Sequence, residues 1–392
     1  MTSVSTQLGF LLFVAALVAI LTRRLRMPYT VGLVLAGMGL SLLHVRLQLH
    51  LSKDLIFSVF LPPLVFEAAL CIDWRQFKRE LPVVGLLATL GVLLAAAVTA
   101  AGMRYALDWD WGSASVFGVL IAATDPVSVI AAFKEAGVQG RLRLLIEAES
   151  LLNDGTAAVA FVAVLSVLAG EHHDVWSISG SLLLTIAGGS AIGAIVGSGF
   201  MLLAGRTSDH LVEITLTTLA AYGSFFVAEH YHCSGVLAAL SAGLVVGGYR
   251  STASISSEGR HALDTFWEYA AFIANSLIFI LIGVQEAGQH FHGLWRPVLW
   301  AIALVTLGRA VAIYPLCALF ARSRRKVEMR HQHILFWGGL RGALALALAL
   351  ALPQDLPHHE VIVTLTFAVV AFSVFAQGLT MTPLLRRLGE IK

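Results

Sequence analysis

The stretch EAESLLNDGTAAVAFVAVLSVLAG, residues 147–170, joins a head carrying Glu147, Glu149 and Asp154 to a second half fit for lipid. A membrane-spanning helix takes about twenty mainly apolar residues. A carboxylate within one is costly and is ordinarily paired or functional. Whether these acids lie in the membrane at all is decided by the rest of the chain.

Composition places the chain in a bilayer. Hydrophobic residues make up 58% and charged residues 13%, with a mean hydropathy of +0.82; soluble domains are nearer half apolar and about a quarter charged. The formal net charge of +2 gives no reason to expect a nucleic-acid partner. Cys71, Cys233 and Cys317 lie far apart in or beside apolar runs, which indicates neither a metal site nor a disulfide framework. The first apolar run is followed, not preceded, by its basic residues (RRLRMP, 23–28), so it reads as a retained span rather than a signal peptide.

Outward from residues 147–170, apolar runs predict about 13 transmembrane helices, starting near Thr6, Tyr29, Leu55, Leu81, Gly112, Gly140, Ser177, Leu211, Cys233, Phe266, Leu294, His333 and Val361. The longest polar connector, 249–264, reads as a loop, so one membrane domain fills 1–392. Lysine and arginine favour cytoplasmic connectors. Starting outside, alternate connectors hold twenty of the 26 basic residues, including Arg26, Lys134 and the run Arg322–Arg330. The others hold only Arg46, Lys53, Arg104 and Arg296, and Arg309 and Arg341 fall inside apolar spans. The N-terminus is expected outside and the C-terminus in the cytoplasm.

Five spans carry charges: Glu67 in the third, Asp125 in the fifth, Glu149 and Asp154 in the sixth, Arg309 in the eleventh and Arg341 in the twelfth. Pro126 lacks an N–H and disfavours helical backbone at Asp125, so the fifth span is expected to break at Thr124–Asp125. Freed carbonyls at membrane depth are tolerated where they line a cavity, and broken helices carry ion sites in secondary transporters. A plain proline kink with Asp125 paired to a neighbour is the alternative. In the sixth span Ser150 and Asp154 share one face, Glu149 and Asn153 another. One face can offer oxygen to a cation while the other pairs with an arginine, although Ser150 and Asp154 also suit a helix cap after a short loop. Arg309 has no charged neighbour in its own span, and Glu149 is the chosen partner. The glycines of GGLRGA (338–343) would let the backbone unwind around Arg341, in a position that could mirror the Pro126 break.

LVFEAAL (64–70), ATDPVSVIAAF (123–133), ESLLNDGTA (149–157), SGVLAALSAGLVVG (234–247), GRAVAIY (308–314), GGLRGALALALAL (338–350) and QGLTMTPLLRRL (377–388) together resemble the sodium–proton exchangers of the NhaP/NHE type, within the monovalent cation:proton antiporter superfamily. The resemblance runs in order along nearly the whole chain. It implies an all-α integral membrane fold with inverted repeats and crossed discontinuous helices, dimerisation and core helices interleaved, and a homodimer working by alternating access. By resemblance, Asp154 is the cation-binding and proton-carrying aspartate, preceded by Asn153. Ser150, Asp125, Thr124 (through its backbone oxygen) and Glu67 are its further ligands for a monovalent cation. Glu149 and Arg309 are implied as a structural ion pair, and Arg341 as the arginine of the twelfth-span motif with a structural role. The Asn-Asp pair resembles that of relatives exchanging one cation for one proton. Many relatives carry a cytoplasmic regulatory tail; with the sequence ending at Lys392, none is expected here.

The implied function is exchange of Na⁺, Li⁺ or K⁺ for protons across the plasma membrane, with no cofactor besides the transported ions. Partners would be monovalent cations, protons, the lipid bilayer and a second copy of the chain. A cation-selective channel could use the same carboxylates. An intramembrane hydrolase would need a nucleophile paired with a base. The histidine motifs at 171–174, 229–232, 290–292 and 358–359 are poorly placed for that and read as solvated loop residues.

Overall fold

A computed structural model describes every residue except 1–3, 26, 46–48, 50, 128, 131–132, 134–137, 139, 171–174, 208, 251–256, 290–292 and 392. Arg26, Arg46 and Lys134 of the charge pattern, and the histidine motifs at 171–174 and 290–292, lie outside the described residues. Among those described there is no strand. The helices are α1 (Val4–Leu25), α2 (Tyr29–Leu42), α3 (53–70), α4 (Trp74–Ala106), α5 (Trp111–Leu120), α6 (Arg141–Leu168) and α7 (Val175–Ala204). They continue with α8 (His210–His230), α9 (Gly235–Arg250), α10 (Ser257–Glu286), α11 (Trp295–Leu319), α12 (Met329–Trp337), α13 (Ala343–Leu350) and α14 (His359–Arg387).

By length and composition α1, α4, α6, α7, α8, α10, α11 and α14 can each cross a membrane, while α2, α5 and α9 are shorter apolar helices. Polar residues set several of the starts. Asp73 accepts from the Gln76 N–H at 2.8 Å to begin α4, and Asp110 accepts from Ser113 N–H at 2.8 Å to begin α5. Within α3, a π-helical turn at Ile56–Phe60 precedes Pro62 and Pro63, which have no N–H to give.

With lipid as solvent, helices associate through close packing of small residues rather than by escape from water. Gly189, Gly193 and Gly197 form a stripe on α7 against Ser234, just before α9, and Ala238 and Ala242 within it; a Cβ at Gly193 would lie 2.1 Å from the Ala238 carbonyl oxygen. The approach of α2 to α10 is reciprocal: a Cβ at Gly37 would lie 2.1 Å from Ile280 O, and one at Gly283 would lie 2.1 Å from Val34 O.

Two interruptions meet in the middle of the molecule. After α5 the chain is non-helical over 123–126, and it turns helical again at Val127, whose N–H bonds Asp125 Oδ1 at 2.9 Å. Between α12 and α13 it unwinds over 338–342. The Asp125 N–H donates to Leu340 O at 2.7 Å, so the first break bonds directly to the second. Both the Pro126 break and the GGLRGA break are therefore present, and they are in contact.

Candidate functional site

A cavity of about 290 Å³ lies against this crossing, between α3, α6 and α10. Glu67, Thr124, Asp125 and Asp154 line it, together with Gly342 and Ala343 of the second break. It reaches the surface beside Cys71 and Glu268, both exposed. The Asp154 Oδ1 atom is buried and has no hydrogen-bond partner. An unpaired buried carboxylate oxygen is expensive, and here the oxygen-bearing side chains of Glu67, Thr124 and Asp125 are among those that share its cavity.

The neighbouring face of α6 is fully engaged. Arg309 of α11 donates to Glu149 through Nη1 at 2.7 Å and Nη2 at 2.9 Å, and Nη2 also reaches Leu335 O at 3.0 Å. This two-pronged, charge-assisted geometry fixes α6, α11 and α12 relative to one another. Asn153 accepts from the Thr124 N–H at 3.0 Å and donates to Thr124 Oγ1 at 2.5 Å and to Glu149 Oε1 at 3.2 Å. Ser150 Oγ lies 3.1 Å from Thr124 Oγ1. Ser150 and Asn153 do not line the cavity; they hold Thr124, which does.

Arg341 is buried beside Arg309 rather than in this cavity. Its Nη1 donates to Gly339 O at 2.7 Å, and both arginines border a narrow cleft with Ser373 and Gln377. Gly339 has no side chain because Arg309 fills that space: a Cβ there would lie 2.4 Å from Arg309 Nε. At Gly342 a Cβ would lie 2.1 Å from Asp125 Oδ2, so only glycine lets the second break pass the aspartate this closely.

Several polar groups at the mouth were given no role from the sequence. Arg143 pairs with Glu147 at 2.8 Å, four residues on, and both border the cavity. Glu268 and Asn275 of α10 and Tyr29 of α2 also line it, and Tyr29 Oη lies 2.8 Å from Ser276 Oγ. Glu268 and Asn275 are seven apart, two turns along one face of an apolar helix, and that spacing was the available signal.

Residues 11–387 match the family model described as sodium/hydrogen exchanger, transmembrane. The chain belongs to the sodium/hydrogen exchanger family. It is 37% identical over 370 residues to the Na⁺/H⁺ antiporter ApNhaP of Aphanothece halophytica, covering 93% of this chain and 70% of that protein. It is 34% identical to the Na⁺/H⁺ antiporter NhaH of Halobacillus aidingensis, over 98% of this chain and 97% of that one. The solved structure of the sodium proton antiporter MjNhaP1 from Methanocaldococcus jannaschii at pH 8 shares the fold, with a TM-score of 0.76 at 18% identity over 98% and 99% of the two chains. Membership makes this exchanger-family chain a multi-pass membrane protein, and its relatives are transporters.

Proposed function

We propose that the chain exchanges Na⁺, or Li⁺ or K⁺, for H⁺ one for one by alternating access, with cation and proton competing for Asp154. The observation that carries this reading is the unpartnered Asp154 oxygen in a cavity shared with Asp125, Thr124 and Glu67. Hard monovalent cations take oxygen ligands, and these residues supply carboxylate, hydroxyl and carbonyl oxygen. Burial favours the neutral form of a carboxyl, and an adjacent cation favours the ionised form. Asp154 is then either protonated or cation-bound. If only these two loaded forms let the core change sides, exchange follows without a further coupling device.

One-for-one exchange moves no net charge, because a proton and a monovalent cation carry the same charge and only one of them occupies Asp154 at a time. In this reading Ser150 and Asn153 act by holding Thr124, and Glu149–Arg309 is structural. The reading includes thirteen spans forming a single domain over 1–392, a homodimer in the plasma membrane, an outside N-terminus and a cytoplasmic C-terminus. It requires no resident cofactor.

The test is proton movement in liposomes driven by Na⁺, K⁺ and Li⁺ in turn, with the membrane potential clamped. Asp154→Asn is expected to abolish exchange while eluting as the wild type does. Retained exchange in that variant would remove Asp154 from the mechanism. Cation currents at zero proton gradient would replace the exchanger with a channel.

A further inference from the structure

A second cavity, of about 640 Å³, lies on the far side of the crossing from the Cys71 mouth. Asp54 and Glu229 bring carboxylates to it, with Lys53, His232 and the apolar side chains of Phe57 and Phe225. On three helices the two cavities come within one turn of each other. Along α6, Asp154 lines the first and Ala158 the second; along α13, Leu344 and Leu348 divide in the same way; along α3, Leu61 and Phe57 do. A helical turn rises about 5.4 Å, so the wall between the cavities is about that thick.

Between these positions the residues are apolar except Ser58, which lines the second cavity, and Thr156, whose hydroxyl donates to the Leu152 carbonyl at 3.0 Å, and one close contact lies among them. Leu237 of α9, 4% exposed, rests on Gly155, the residue after Asp154. A Cβ at Gly155 would lie 2.5 Å from Leu237 Cδ2, so the leucine occupies the space a side chain would take. Its neighbour Val236 already faces the second cavity. On α3 the same level is the π turn Ile56–Phe60, whose Val59 carbonyl accepts from Tyr222 Oη of α8 at 2.9 Å. A π turn carries one residue more than an α turn and commonly marks functional positions.

We propose that Leu237 seated on Gly155 plugs a barrier one helical turn thick, and that the second cavity is the route by which hydrated monovalent cations reach Asp154 from the opposite face. This rests on the exchange reading above. Changing sides requires the Leu237–Gly155 contact to part, and coupling requires it to stay shut while the Cys71 mouth is open.

The experiment compares cation-free proton leak with cation-driven exchange in liposomes for the wild type and Leu237→Ala, and for Leu237→Val should the alanine variant fail to elute as a single species. Leu237→Ala is expected to raise the leak about tenfold, the effect of lowering a barrier by about 1.4 kcal/mol. Adding Gly155→Ala, whose methyl group refills the vacated space, should bring the leak back toward wild type. A folded Leu237 variant that stays tight, whether or not it exchanges, overturns the proposal. So does a leak that Gly155→Ala leaves unchanged. Absence of cation-driven exchange in the wild type would instead remove the transport reading itself.

Discussion

Asn153 and Asp154 are consecutive on α6 and differ in how fully their polar atoms are used. The Asn153 amide is saturated, accepting from the Thr124 N–H and donating to Thr124 Oγ1 and Glu149 Oε1, whereas Asp154 Oδ1 has no partner. Asn153→Asp would replace a two-way donor with an oxygen facing two acceptors. The expected cost is about 1–3 kcal/mol of stability, the usual penalty for stranding a buried polar group. Because a proton on the introduced carboxyl restores one donor, the loss should be smaller at acid pH and grow as pH rises. Thermal unfolding at both extremes checks this, and a variant as stable as wild type at alkaline pH would contradict it. Spacing alone separated the Glu149/Asn153 face from the Ser150/Asp154 face, since 3.6 residues per turn is a fixed geometry. It did not show that the Ser150 hydroxyl bonds Thr124 rather than facing the cavity. A serine can ligate a cation or bridge two helices with the same atom, and only the position of the other helix distinguishes the two.

At the scale of elements, the first break was legible because Pro126 removes a donor and obstructs the preceding turn. The second was less so, because Gly338, Gly339 and Gly342 only permit unwinding. What requires glycine at 342 is a neighbour more than two hundred residues away: a Cβ there would meet Asp125 Oδ2 at 2.1 Å and Asp125 Cβ at 2.4 Å. Gly342→Ala must push Asp125 aside, and a shift of about 1 Å at a reacting centre can cost about a hundredfold in rate. Exchange is expected to fall by at least that order while the protein still elutes as wild type; near-normal turnover would show that the crossing tolerates displacement. The α7 stripe gives the contrasting outcome. Gly193→Leu would press on the Ala238 carbonyl; neither residue lines the cation cavity, and the change should lower thermal stability rather than alter ion preference. Apolarity could not show these contacts, because a helix facing lipid and one facing another helix have nearly the same composition.

At the scale of the whole molecule, three of the basic connectors are joined directly into a ridge. Arg141 donates to Lys326 O at 2.7 Å, to Arg325 O at 2.8 Å and to Glu80 at 2.9 Å, and Arg325 Nε reaches Arg79 O at 3.0 Å. These residues belong to the same set of connectors as Arg143, which borders the cavity mouth, and so does Cys71. If basic connectors are cytoplasmic, the cavity opens to the cytoplasm and Cys71 stands at its entrance, with Sγ 3.9 Å from Glu67 Oε1. Cys317 is buried, and Cys233 borders the other cavity. A membrane-impermeant thiol reagent applied to the cytoplasmic face should therefore slow exchange by occupying the mouth, and Cys71→Ser should remove that sensitivity. High Na⁺ on the same face should delay modification if a cation bound at Asp154 and Asp125 alters access beside Glu67. Sensitivity confined to the opposite face would reverse the orientation drawn from charge. Equal sensitivity in Cys71→Ser would show instead that the route to Asp154 does not pass Cys71, leaving the orientation to be settled by labelling of Arg322→Cys on the exposed part of the basic ridge.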